Sequence, residues 1–176
     1  NDRFGHALGD AVLVAVADRL RSTLRETDMV VRWGGEEFLV LAKTAPERVD
    51  EIAARILRAV AAEPIVLNDK VIRATVSIGY APLPLPPSRT PLSWDRAIGL
   101  VDMALYMAKV NGRNRAYGIQ RLNGDGDASL AAAERDLERA WKDGLVDLDV
   151  HYGPLPSSVV RLGPRDARPD APARAS

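Results

Sequence analysis

Gly34-Gly35-Glu36-Glu37 puts two residues without side chains directly before two carboxylates. Missing side chains let a triphosphate and a ribose lie against the main chain. Carboxylate oxygens beside phosphates suit a hard cation such as Mg²⁺. A plain turn would explain a lone diglycine between strands, but the two acids that follow it favour a nucleotide and a cation. In a regular strand Glu36 and Glu37 point to opposite faces, so one role should not fall to both. Lys109 and Arg113 lie four apart near the end of an expected helix. They read either as a solvated basic face that complements the helix dipole or as a pair whose mild repulsion a bound anion would relieve. Arg25-Glu26-Thr27-Asp28 is an Arg-x-x-Asp run of a kind common at helix ends, and taken alone it says little.

These residues need elements to hold them. Leu13, Val16, Ala17, Leu20 and Leu24 step by three and four, which predicts an amphipathic helix over 9–26 with Asp18, Arg19 and Arg25 off the apolar stripe. Met29–Trp33 and Glu36–Ala42 flank the diglycine as the arms of a hairpin, since glycine takes the positive φ that tight turns require. Phe38-Leu39-Val40-Leu41 is apolar on both faces and predicts a strand covered on both sides. Thr44 and Glu47 have capping-box spacing ahead of a helix carrying Ile52, Ile56, Leu57 and Val60. Two strands joined at Asn68-Asp69 are expected over 65–81, then a proline-rich loop, then a helix from Trp94 to Val110 with Ser93 as N-cap and Asn111-Gly112 as its stop. A short last strand is expected at Arg115–Ile119 and a helical stretch at 128–142.

Composition narrows the partners. Twenty-four basic residues balance 24 acidic ones, so no overall field marks a nucleic-acid or membrane binder, and a polyanion must be met by local clusters. The absence of cysteine rules out disulfides and thiolate metal sites, and two histidines make a zinc site an unlikely expectation. No apolar run approaches a membrane span and no signal peptide is visible, which makes the cytoplasm the default compartment. The chain opens on Asn1 rather than methionine and is expected to be a processed product or a fragment.

Asn1-Asp2 with Gly5-His6 and Gly9-Asp10, then Gly34-Gly35-Glu36-Glu37-Phe38, then Asp102-Met103-Ala104-Leu105-Tyr106 with Ala108-Lys109 and Gly112-Arg113-Asn114, together resemble the GGDEF family of diguanylate cyclases in its GGEEF form. The resemblance covers residues 1 to about 119. It implies a nucleotidyl-cyclase-like α/β (α+β) fold, with a central sheet containing antiparallel strands and flanked by helices. It implies an enzyme that joins two GTP into cyclic di-GMP, using Mg²⁺ or Mn²⁺ and working as a homodimer. On that reading Gly34, Gly35, Glu36 and Glu37 are catalytic. Glu36 ligates the metal, and Glu37 assists the metal or the attacking hydroxyl. Guanine presents N1–H and N2–H₂ donors that a carboxylate can accept together; the family pattern gives this task to Asp10 and Asn1. For Asp10 the residues alone leave a helix N-cap equally open. His6 is read as a packing residue. Lys109 and Arg113 contact GTP phosphates, and Arg25 with Asp28 forms an allosteric product-inhibition site.

The resemblance also implies a preceding strand, central to the sheet and bearing a metal-binding aspartate, which this sequence does not include. The 176 residues alone are therefore expected to be inactive and poorly folded, and a sensor domain is expected upstream, in a cytoplasmic protein or at the cytoplasmic end of a membrane-bound one. The expected division is a catalytic domain over 1–119, a linker and helical extension over 120–152, and a disordered tail over 153–176. A module that binds GTP or cyclic di-GMP without turnover, and a truncated inactive remnant, are the competing functions.

Overall fold

The computed structural model describes residues 6–67, 70–88 and 92–154. It is a mixed α/β arrangement of helices and small sheets, with α1 at His6–Thr23, β1 at Met29–Gly34, β2 at Glu37–Leu41, α2 at Val49–Ala61, β3 at Ile65–Leu67, β4 at Lys70–Ile72 and β5 at Ile78–Tyr80. Then come α3 at Trp94–Val110, β6 at Arg115–Leu122, α4 at Gly126–Arg135, α5 at Leu137–Lys142 and β7 at Val146–Tyr152. Among the described residues no helix is long and apolar enough to cross a membrane.

The strands form three groups. β1 and β2 make an antiparallel hairpin, β3 and β4 a second one, and β6 lies between a parallel β5 and an antiparallel β7. Among the described residues β2 and β5 therefore each keep one edge without a strand neighbour. This is why β2 is half-buried rather than covered on both sides as its apolar sequence predicted. By contrast β6, with a strand on either hand, buries Ala116, Tyr117, Gly118 and Ile119 in succession.

Two cores result. Val16 and Leu20 of α1 meet Ile56 and Val60 of α2 and Ile65 of β3, with Val30 and Phe38 of the first hairpin packed against them. Leu100, Ala104 and Met107 of α3 meet Ile119, Leu122, Leu130, Leu137 and Val146. The opposite side of α2 joins the halves, since Ala53 and Leu57 pack on Tyr80 and Ala116. α3 lies so close to β5 that a Cβ on Gly79 would sit 2.1 Å from the Val101 carbonyl oxygen and 2.4 Å from the Leu105 nitrogen.

Several local expectations are corrected. α1 spans His6–Thr23 rather than 9–26. Arg19, placed off its apolar stripe by periodicity, donates to the Val60 and Pro64 carbonyls at 2.5 and 3.3 Å and so closes the end of α2. Thr44 does not cap a helix; a short 3₁₀ turn at Pro46–Arg48 precedes α2, and neither start carries a side-chain cap. Ser93 precedes α3 as expected but makes no side-chain cap bond. The expected strand ending at Tyr80 divides into β4 and β5; its joining residues 68 and 69 lie outside the described set.

The larger difference lies after residue 119. β6 runs through to Leu122, and it is not last, because β7 pairs with it from Arg115↔Tyr152 to Leu122↔Val146. α4 and α5 fall where helix was expected, and Leu130, Ala133, Leu137 and Ala140 enter the core of α3. Residues 120–152 thus pack as part of the body. The hydroxyl of Ser129 donates to the Asn123 carbonyl, and Arg96 of α3 donates to both carboxylate oxygens of Glu134 on α4, at 2.5 and 3.0 Å. Residues 155–176, most of the expected disordered tail, lie outside the described set.

Candidate active site at the diglycine hairpin

The turn between β1 and β2 is made by Gly35, at φ +47°, and Glu36. A Cβ on Gly34 or on Gly35 would meet no atom within 4 Å. For Gly35 the left-handed backbone explains the residue. Gly34 has neither positive φ nor crowding, so the folded chain by itself gives no reason for its missing side chain. The open space beside it is where another molecule can approach the main chain.

Arg32 holds the turn. Its Nε and terminal nitrogen donate to the Gly35 carbonyl at 3.0 and 2.7 Å, and its guanidinium lies 4.0 Å from the Asp10 carboxylate on α1. Sequence reasoning missed this residue. The signal was a basic side chain on the first arm, three positions before a carbonyl that the turn points back toward it. Asp10 is exposed on α1, within the helix rather than at its N-cap, which removes the capping alternative. Asn1 lies outside the described residues, and nothing is described of the His6 side chain.

The two acids have different surroundings, but not by alternation along a strand as expected: Glu36 belongs to the turn and only Glu37 to β2. Glu36 is exposed and forms no ion pair among the described residues. Glu37 accepts a hydrogen bond from Lys109 Nζ at 2.7 Å, across 72 positions of sequence. Both partners are more than a third exposed (37% and 41%), so the pair contributes at most about 1 kcal/mol. Its effect is positional, because it ties the end of α3 to the hairpin.

α3 stops where Asn111-Gly112 predicted. Asn111 N–H donates to the Met107 carbonyl, Gly112 takes φ +111°, and Arg113 N–H donates to the Ala108 carbonyl at 2.9 Å. This six-to-one closure puts Arg113 just beyond the helix, exposed and at φ +57°. Lys109 and Arg113 are thus held on one helix end, with Lys109 turned to Glu37.

A hard cation needs oxygen donors with room around them. The unpaired Glu36 carboxylate beside two bare glycines fits Mg²⁺ or Mn²⁺, and Glu36 is the residue that would hold it.

Arg25 and Asp28 lie elsewhere, between α1 and β1. The Asp28 carboxylate accepts from the Arg25 N–H at 3.0 Å and the Lys43 N–H at 3.3 Å, which folds the four-residue run into a turn. A shallow, open depression beside it is lined by Arg25, Lys43, Arg48 and Arg55 with Asp28 and Glu51. Four bases against two acids make this concavity locally basic on a chain with no net charge.

Residues 1–115 match the family described as "Diguanylate cyclase, GGDEF domain". The chain is 38% identical over 143 residues to diguanylate cyclase TpbB of Pseudomonas aeruginosa, covering 80% of this chain and 31% of that protein. It is 31% identical over 155 residues to cyclic di-GMP phosphodiesterase NbdA of the same species, covering 88% of this chain and 19% of that one. Alignments of that length cannot fit within 115 residues, so the likeness continues into the part that follows the family match. Among solved structures, the GGDEF domain of DgcB from Caulobacter crescentus in complex with c-di-GMP superposes with a TM-score of 0.57 at 29% identity, covering 67% of this chain and 68% of that one. The chain spans 19% to 32% of the length of the curated relatives it matches.

Proposed function

The chain belongs to the GGDEF family of diguanylate cyclases, and from that premise we propose that it condenses two GTP into cyclic di-GMP with release of pyrophosphate. The observation that supports this most is the uncrowded Gly34-Gly35 main chain, bordered by a free carboxylate on Glu36 and a lysine tied to Glu37. The triphosphate lies along that bare backbone. Lys109 and Arg113 meet its phosphates, so Lys109 exchanges Glu37 for a phosphate oxygen when GTP arrives. Asp10, fixed near Arg32, faces the guanine edge, a task the family pattern also gives to Asn1. Two subunits present their nucleotides to each other. The 3′-oxygen of one GTP forms a bond to the α-phosphorus of the other, the bond from that phosphorus to pyrophosphate breaks, and the hydroxyl proton leaves. A second such step closes the ring. A divalent cation held by Glu36 supplies charge neutralisation at the phosphates when bound. Positioning is the rest of the catalysis, and no side chain serves as a covalent nucleophile.

The test is to incubate the full natural protein with GTP and Mg²⁺ and measure cyclic di-GMP and pyrophosphate. Formation of both, with at least about a hundredfold loss in Glu36→Gln, is the expected result. A folded dimer that binds GTP and forms no product would overturn the proposal.

The basic depression supports a second element, product inhibition. Cyclic di-GMP offers two phosphates and guanine edges, which Arg25 and Asp28 can take. Arg25→Ala should raise the inhibitory product concentration about tenfold or more, since one charged hydrogen bond is lost. Inhibition unchanged in that variant would remove the assignment.

One observation favours a different reading, a domain that binds GTP or cyclic di-GMP without turnover. The chain resembles a segment of NbdA, a protein named for breaking cyclic di-GMP down. On either reading we place the chain in the cytoplasm, as the output or regulatory module of a longer protein with a sensor upstream.

A further inference from the structure

Pleating of β7 sorts its residues onto two faces. Val146, Leu148 and Val150 face the core of α3, α4 and α5. Asp147, Asp149 and His151 face the other way, toward the side of the sheet on which α2 packs. Asp50, in the first turn of α2, meets them there, with its carboxylate 3.8 Å from His151 Nε2. One donor atom from each of Asp50, Asp149 and His151 lies within 4.8 Å of the other two.

The histidine nitrogen is the informative atom. Nε2 is buried from solvent and makes no hydrogen bond, and 3.8 Å from Asp50 is too long to be one. A buried ring nitrogen that makes no hydrogen bond, with a carboxylate at ion-pair distance, calls for a cause. The spacing that fails for a hydrogen bond suits two ligands on one ion. Donors about 2.0–2.1 Å from a tetrahedral zinc lie roughly 3.4 Å apart. Closing the triad onto one ion needs Asp50 and His151 to approach by a few tenths of an ångström and the exposed Asp149 to close the remaining gap.

We propose that Asp50, Asp149 and His151 form a binding site for a divalent transition metal of the zinc class, separate from the diglycine hairpin. Two carboxylates and one neutral imidazole balance a doubly charged ion. An imidazole donor favours zinc, nickel or copper over magnesium, which prefers an all-oxygen shell. Three protein ligands leave further positions open to water on the exposed side of Asp149. The expectation that two histidines make zinc unlikely counted only nitrogen and sulfur donors; the fold completes the set with carboxylates from two distant segments. The ion would fasten the strand that follows the family match to the helix that begins beside the basic depression, since Glu51 and Arg55 of α2 line that depression.

The test is calorimetric titration of the full chain with zinc in millimolar Mg²⁺ and without nucleotide, paired with thermal melts. The expected result is one equivalent bound and a melting temperature several degrees higher with zinc. Asp149→Asn, at an exposed position that leaves the fold intact, should weaken binding tenfold or more, and His151→Asn should do the same. Glu36→Gln should leave the stoichiometry at one, which separates this site from the proposed catalytic cation. Binding of equal strength in Asp149→Asn and His151→Asn would overturn the site. So would the absence of stoichiometric zinc binding.

Discussion

On the proposed function, Gly34→Ala in the full natural protein leaves the domain as stable as before and removes about 99% of cyclic di-GMP formation, or roughly 10²-fold, the effect of misplacing a reacting group by about an ångström. The stability half follows from geometry. Gly34 lies in the ordinary region of φ, and an added Cβ would touch nothing within 4 Å. Restricting the unfolded chain at such a position costs nothing and can contribute about 0.4–1 kcal/mol. The activity half follows from the proposed function, in which the same space holds ribose and triphosphate. The comparison with Gly35→Ala is informative, because at φ +47° that variant carries about 1–2 kcal/mol of backbone strain and confounds folding with binding. Melting curves and product formation on the Gly34 variant separate the two. A variant that folds and turns over GTP at the parental rate would mean that the bare turn serves no nucleotide.

Gly79→Ala acts in the opposite sense, on the fold first. Its Cβ would lie 2.1 Å from the Val101 carbonyl oxygen and 2.4 Å from the Leu105 nitrogen, both main-chain atoms of α3. No side chain can turn aside to make room, so the helix must lift from β5. Overpacking of this kind costs about 3 kcal/mol, a large part of a total of about 5–15 kcal/mol. For a chain of this size that lowers the melting temperature by about 10 °C. Lys109 rides on the same helix, so its contact with Glu37 loosens as well. A melting temperature within about 2 °C of the parent would show that α3 does not rest on β5 in this way.

The hairpin and the stop of α3 were legible because each is written in adjacent residues: Gly34-Gly35 and Asn111-Gly112. Partnerships between distant segments were not. Glu37 with Lys109, Arg19 with the end of α2, and Asp50 with His151 depend on which helix crosses which strand, and periodicity does not carry that. Thr44 shows the reverse failure, a local signal overridden when Pro46 opened a 3₁₀ turn first. β7 went unread for a simpler reason. Val146-Asp147-Leu148-Asp149-Val150 alternates as a half-buried strand does, yet it follows a helical stretch and has no hairpin turn leading into it.

The family match ends at residue 115, where β6 begins. The border of the family match and the border of cooperative folding therefore differ on this chain, and the longer alignments with relatives follow the latter. A gene fusion that joined a new module at residue 115 would part α3 from the strand it rests beside, and the newcomer would have to bring a replacement for β6 and β7. A junction that keeps the body whole has to spare β7 and the two residues after it, which Asn114 clasps through Gly153 N–H and the Pro154 carbonyl.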